Sequence, residues 1–194
     1  MAARLAAHQA CLLVQSPAIE GNWESSAETA VLVAGALVLL ACLGGLDEQG
    51  RMSWLAGRRG ARLAQLWFGL WLIPIGLSHF LYAKITFNLV PTWMPWREIW
   101  GPITGVAHIA AGAGVLCGAV GVLRGPLPRV AAWSWTGMIS LFTVLIWIPG
   151  VAAAPRVSNN WSELCLSCAI AAAAWAVAQG HPGEASAVRP SKSM

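Results

Sequence analysis

The chain has 194 residues, 57% of them hydrophobic, with only 12 basic and 8 acidic side chains. That apolar share exceeds the roughly half found in soluble domains and points to a membrane protein of one domain. The net charge of +4 is small and scattered, so no nucleic-acid partner is expected.

Residues 1–26 carry little hydrophobic periodicity and are expected to form a flexible N-terminus. The apolar run within Met1–Gln15 is too short for the core of a cleaved signal. Residues 27–46 hold a first membrane helix, whose apolar stretch runs from Thr29 to Leu46. Four more stretches reach the roughly 20 apolar residues that a bilayer requires: Leu63–Ala83, Ile99–Leu123, Val130–Val151 and Trp161–Ala178. Each is expected to be helical, because an isolated span in lipid has no other way to pair its backbone polar groups. Residues 179–194 form the expected flexible C-terminal tail.

Proline placement agrees with these limits. Pro102 falls in the first turn of the third span, where its missing N–H costs little. Pro126 and Pro128 hold the turn before Val130, and Pro149 is expected to close the fourth span. Pro74 lies inside the second span and predicts a kink near Leu70. Glycine concentrates in the third span, with Gly101, Gly105, Gly112, Gly114, Gly118 and Gly121, which marks that helix as a packing centre. In the fourth span Thr136, Ser140 and Thr143 make a polar stripe that should face the bundle and bond across it or back to its own carbonyls.

Basic residues set the orientation. With the loop after the first span in the cytoplasm, Arg51, Arg58, Arg59, Arg62, Arg124, Arg129, Arg189 and Lys192 are inside, against Arg4, Lys84, Arg97 and Arg156 outside. The N-terminus is then outside and the C-terminus cytoplasmic. His79, His108, Glu163, Cys165 and Cys168 all gather in the outer half, with Trp93, Trp96 and Trp100 in the loop above.

Ionisable groups inside a membrane are costly, and each is a functional hypothesis. His79 and His108 have the chemistry to ligate a haem or metal, relay a proton or hydrogen-bond a quinone, or simply to donate to a neighbouring helix. Two histidines without a third ligand make a poor zinc site, so no metal is expected. Thr104 shares the face of His108 by four-residue spacing. Glu163 opens the last span, as a helix cap, as an ion-pair partner of Arg97 or Arg156, or as a proton acceptor for a ligand. Trp93, Trp96 and Trp100 recur at three- and four-residue spacing, as on one face of a short interfacial helix serving as anchor or lid. Cys165-Leu-Ser-Cys168 has the spacing of a dithiol that cycles to a disulfide. The candidate pocket is therefore His79, His108, Thr104, Trp93, Trp96 and Glu163, with Cys165 and Cys168 as an alternative redox pair.

From Arg62 to Ala178 the chain resembles the DoxX family of small bacterial membrane proteins. The likeness runs through Arg62, Gly76-Leu-Ser-His79-Phe80, Val90-Pro91-x-Trp93-x-Pro95, Gly105-Val-Ala-His108-Ile-Ala-Ala-Gly112 and the Asn160-Trp161-Ser162-Glu163 entry to the last helix. Many members carry glutamate where this chain has His108. The resemblance implies an all-α membrane protein, a four-helix transmembrane bundle over residues 62–178, here with one additional N-terminal transmembrane helix. It also implies the inner membrane of a bacterium. The founding member is a subunit of a thiosulfate:quinone oxidoreductase, and relatives are linked to redox and sulfur stress. The expected function is an accessory or ligand-binding membrane subunit linked to redox metabolism, not an enzyme on its own. A quinone or a small apolar molecule is the expected ligand, and the expected partners are the lipid bilayer and a periplasmic or membrane redox enzyme. Two other readings stand beside it: a quinone-coupled thiol oxidoreductase using Cys165 and Cys168, and a structural anchor for a periplasmic enzyme.

Overall fold

The computed structural model describes residues 11, 14–16, 18–43 and 53–180, and all regular structure among them is helical. The expected tail at 181–194, most of the expected N-terminal segment, the last residues of the first span and Arg4, Arg51, Arg189 and Lys192 lie outside the described residues. In chain order the elements are α1 (Glu20–Leu43), a 3-10 turn (Ser53–Leu55), α2 (Gly57–Leu81) and the short α3 (Ala83–Leu89). Then come α4 (Arg97–Ala119), α5 (Leu127–Phe142), a π-helical turn (Thr143–Trp147), α6 (Ile148–Ala153) and α7 (Ser158–Gln179). Five helical segments are long and apolar enough to cross a bilayer, the fourth running from Leu127 to Ala153 through the π turn. Large apolar side chains such as Leu70, Ile103, Val130, Val144 and Trp175 are exposed on the outer surface, as a lipid-facing belt requires.

The five long helices form a closed ring. α2 packs on α4, α4 on α5, α5 on α7, α7 on α1, and α1 on α2 again. The N-terminal helix is thus a wall of the bundle, inserted between α2 and α7. Its small face brings the backbones close: a Cβ on Gly35 would stand 2.6 Å from that of Ala173 in α7. It also begins at Glu20, well before the expected Thr29.

Lipid gives helices little hydrophobic reason to associate, so close packing carries the bundle. The α2–α4 crossing shows how. Gly69 opposes Gly112 and Gly76 opposes Gly105, two pairs seven residues apart on antiparallel helices. A Cβ on any of the four would come within 3.0 Å of the facing glycine's carbonyl oxygen. On its other face α4 sets Gly114 against Ala131 and Gly118 against Pro128 of α5. The glycines of α4 do draw its neighbours close, Gly105 and Gly112 toward α2, but α4 is one wall of the ring and not the centre that its glycine content suggests. Phe68, Leu72, Val115 and Trp135 fill the interior, and Phe68 meets Trp135 edge to face at 5.1 Å.

Polar ties fix the two ends. Arg62 on α2 donates from Nε to the carbonyl of Ala119, the last residue of α4, at 2.6 Å. At the opposite end the Tyr82 hydroxyl accepts the Gly21 N–H at 3.1 Å and so satisfies a first-turn donor of α1. α2 continues unbroken through Pro74. Pro149 does not close the fourth span as expected. The helix continues to Ala153, and the π turn just before the proline changes the local winding where a regular hydrogen bond from its nitrogen is missing. The polar stripe on α5 bonds backward: Thr136 to Ala132, Ser140 to Thr136 and Thr143 to Ile139, at 2.8, 2.7 and 3.1 Å.

Candidate functional site

The α2–α4 crossing carries the two histidines. Gly76 and Gly105 let the backbones meet, and His79 and His108 leave the two helices beside that contact. Their ring centroids lie 4.8 Å apart at 37°. His108 is 1% exposed, with Trp135 edge-on at 5.8 Å and Phe142 at 6.4 Å. His79 is partly buried.

Each imidazole is oriented by its own helix. His108 Nδ1 lies 2.7 Å from the Thr104 carbonyl, and His79 Nδ1 lies 2.8 Å from that of Ile75. A carbonyl only accepts, so each Nδ1 carries the hydrogen. In the neutral rings both Nε2 atoms are then bare acceptors, and no described residue donates to either. Thr104 contributes its main chain, while its hydroxyl turns back to Trp100 and Gly101 at 2.8 and 2.9 Å.

A carboxylate from α1 reaches the edge of the pair. The Ser78 hydroxyl, next to His79 in sequence, lies 3.1 Å from Glu24 Oε1 and 2.8 Å from the Ile75 carbonyl. One hydroxyl proton serves only one of these acceptors at a time. Glu24 is also close enough to interact electrostatically with His79, Glu28 and Glu163. His79, His108, Ser78 and Glu24 therefore sit together, drawn from α1, α2 and α4, with Glu28 of α1 and Glu163 of α7 in electrostatic range of Glu24. Among the described residues no group of three or more His, Cys, Asp or Glu side chains is arranged to hold a metal ion.

Glu163 does not serve as a first-turn helix cap, because α7 begins at Ser158 and not near Trp161. Asn160 Nδ2 donates to the Gly150 carbonyl and Trp161 Nε1 to that of Pro155, both at 2.9 Å, which ties down this earlier start. Arg97, an expected partner of Glu163, is engaged elsewhere. It donates to the Val90 carbonyl from Nε and Nη2 and to the Phe87 carbonyl, and it lies over the Phe87 ring at 4.4 Å.

That arginine clasp shapes the tryptophan loop. The short helix lies earlier than expected, at Ala83–Leu89, and residues 91–96 form turns. Pro91 and Pro95 explain the displacement, since the residue before a proline is pushed out of helical geometry. Trp96 adopts a left-handed φ of 49° just before α4. Trp93 and Trp96 are 67% and 73% exposed, and neither ring reaches the histidines. Cys165 and Cys168 are free thiols, both exposed on α7.

Glu24 and Glu28 were not anticipated. Their signal was the spacing Glu20-x-x-x-Glu24-x-x-x-Glu28, which runs without a break into the apolar stretch, as one face of a helix already begun. The place of Trp135 beside His108 is set by how α4 meets α5.

No family model, curated protein or solved structure matches the chain.

Proposed function

We propose that this multi-pass membrane protein is a DoxX-like ligand-binding subunit of the bacterial inner membrane that holds a quinol at His79 and His108. The observation that carries the reading is the pair of adjacent Nε2 acceptors, each fixed by an Nδ1–H bond to its own helix carbonyl. An acceptor pair favours a ligand that brings O–H donors. Quinol hydroxyls do so, whereas the oxidised quinone offers only acceptors. His79 is the more accessible contact and the fully buried His108 the deeper one. Glu24, held against the Ser78 hydroxyl next to His79, is the carboxylate placed to take up or return a proton there. On this reading the subunit binds the quinol and a partner redox enzyme takes the electrons.

The test is anaerobic calorimetry of the detergent-solubilised protein with a benzoquinol head group and with the matching benzoquinone. One extra hydrogen bond, at about 0.5–1.5 kcal/mol, predicts quinol binding about 2- to 12-fold tighter. His108→Gln should abolish that preference. Equal affinity for the two forms, or no binding of either, refutes the reading.

A further inference from the structure

The end of the bundle away from the histidines concentrates positive charge. α2 and α4 run antiparallel in a regular register: Gly76 faces Gly105, Gly69 faces Gly112, and Arg62 donates to the carbonyl of Ala119. α4 stops at Ala119, while α2 reaches past it through Arg59 and Arg58. These two lie three and four residues from Arg62, so they extend its side of the helix beyond the end of α4. The chain leaving α4 stays at that end. Val122 and Leu123 both donate to the Cys117 carbonyl, at 2.8 and 3.0 Å, with Gly121 in the left-handed region at φ 83°. Arg124 follows directly.

Arg58, Arg59, Arg62 and Arg124 are all exposed. Arg62 spends its Nε on Ala119, which leaves the outer guanidinium nitrogens open, and no described residue pairs with Arg58, Arg59 or Arg124. The acidic residues described, Glu20, Glu24, Glu28, Glu98 and Glu163, fall in the first halves of α1, α4 and α7, at the other end. The sequence between α1 and α2 adds Asp47, Glu48 and Arg51, so the balance at the arginine end stays positive.

These charges stand at the depth of lipid headgroups. Arg62 immediately precedes Leu63, and Leu63 and Leu70 are exposed on the lipid-facing surface. Arg62 to Arg58 is about 6 Å along the helix axis. The polar layer on each side of the hydrocarbon is about 5–7 Å thick, so the stripe spans the layer that holds lipid phosphates. Local stability does not explain it. Arg58 and Arg59 stand in the first turn of α2, where cations oppose the helix dipole and no acidic residue offsets them. Guanidinium groups present paired N–H donors that fit phosphate oxygens. A zwitterionic headgroup would bring its own cation to a place with no described carboxylate to meet it.

We propose that Arg58, Arg59, Arg62 and Arg124 form a headgroup site for an anionic phospholipid. Its phosphate sits between the start of α2 and the end of α4, and its acyl chains lie on the exposed apolar flank of α2 at Leu63 and Leu70. The site is independent of the quinol reading and lies at the opposite end of the bundle.

The experiment is native mass spectrometry of the whole protein in detergent, with dioleoyl phosphatidylglycerol, dioleoyl phosphatidylcholine and glycerol 1-phosphate as probes. Arg58→Gln and Arg124→Gln remove charge at exposed positions and spare the Arg62 tie. Lys84→Gln and Arg156→Gln, exposed cations at the histidine end, are controls. Phosphatidylglycerol should bind about tenfold or more tighter than phosphatidylcholine, and glycerol 1-phosphate should leave no retained adduct. One arginine at an anionic lipid surface is worth about fivefold in affinity. Each arginine variant should therefore weaken phosphatidylglycerol about fivefold and the double variant about 25-fold, with both controls unchanged. The unfolding midpoint of Arg58→Gln should hold or rise, because a charge opposing the dipole is gone, so the loss of lipid is not a loss of fold. Equal affinity for the two phospholipids refutes the inference, since the lipid is then held by its chains alone. Equal weakening in Lys84→Gln or Arg156→Gln refutes it as diffuse attraction. Glycerol 1-phosphate binding as tightly as phosphatidylglycerol makes the occupant a soluble phosphate and refutes it, as does full phosphatidylglycerol affinity in the double variant.

Discussion

Gly76→Ala is the most direct test of how packing places the histidines. The new methyl carbon would stand 2.6 Å from Ile109 Cγ1, 2.7 Å from the Gly105 carbonyl oxygen and 3.0 Å from His108 Cβ. Ordinary contact begins near 3.4 Å, so α2 and α4 must part by about 0.7 Å at this level. The carbonyl and Cβ are not free ends that swing aside. Overpacking of this kind costs about 2–3 kcal/mol, and the gain from replacing a helical glycine by alanine offsets roughly 0.5–1 kcal/mol of it. A net loss of about 1–2.5 kcal/mol follows. Gly137→Ala, where nothing stands within 4 Å of the new carbon, keeps only the gain and should be neutral or slightly stabilising. Unfolding by SDS in mixed micelles, followed by tryptophan fluorescence, reads both. Because the imidazoles stack beside this crossing, Gly76→Ala should also weaken quinol binding several-fold. A Gly76→Ala protein as stable as Gly137→Ala, with ligand affinity unchanged, would refute the claim that this contact positions the site.

Two further outcomes follow from the site's surroundings. Arg97→Lys replaces a fork that holds two carbonyls and covers the Phe87 ring with a single point donor. Limited proteolysis should then cut within residues 90–96 faster, with the unfolding midpoint of the bundle unchanged. Cys165 and Cys168 are exposed on α7, outside the histidine cluster. Replacing both with serine should leave quinol binding intact, and maleimide should label both in the native protein; a loss of binding, or a pair resistant to labelling until reduced, would favour the thiol reading.

The spans were legible because membrane helices announce themselves by length and hydropathy, and four of the five appear close to where the apolar runs place them. Ends were harder. Hydropathy alone discards the polar first turns of a span, so Glu24 and Glu28 on α1 and the Ser158 start of α7 were missed for one reason. In both cases charged or amide side chains lie on a helix whose neighbours supply partners, Ser78 for Glu24 and Gly150 for Asn160. The nearness of His79 to His108 was half legible: both fall in the outer half of the bundle, but the Gly76–Gly105 contact that brings them to 4.8 Å pairs residues nearly thirty positions apart. Trp93 and Trp96 had the right spacing for a helix face and lack the helix, because the two prolines and the Arg97 clasp fix turns instead.

The ring arrangement bears on why α1 belongs to the site. Without it, α2 and α7 would leave an open side, and Ser78 and His79 would lose the Glu24 carboxylate. With it, five ionisable groups share one half of the bundle, where each would be expensive alone in hydrocarbon. The other half is held differently, by Arg62 on the end of α4 and by glycine and proline contacts between α4 and α5. A bundle that needed only to hold together would gain nothing from concentrating carboxylates and imidazoles at one end. On the proposed quinol reading, the polar end is where protons and a hydrogen-bonding ligand would meet.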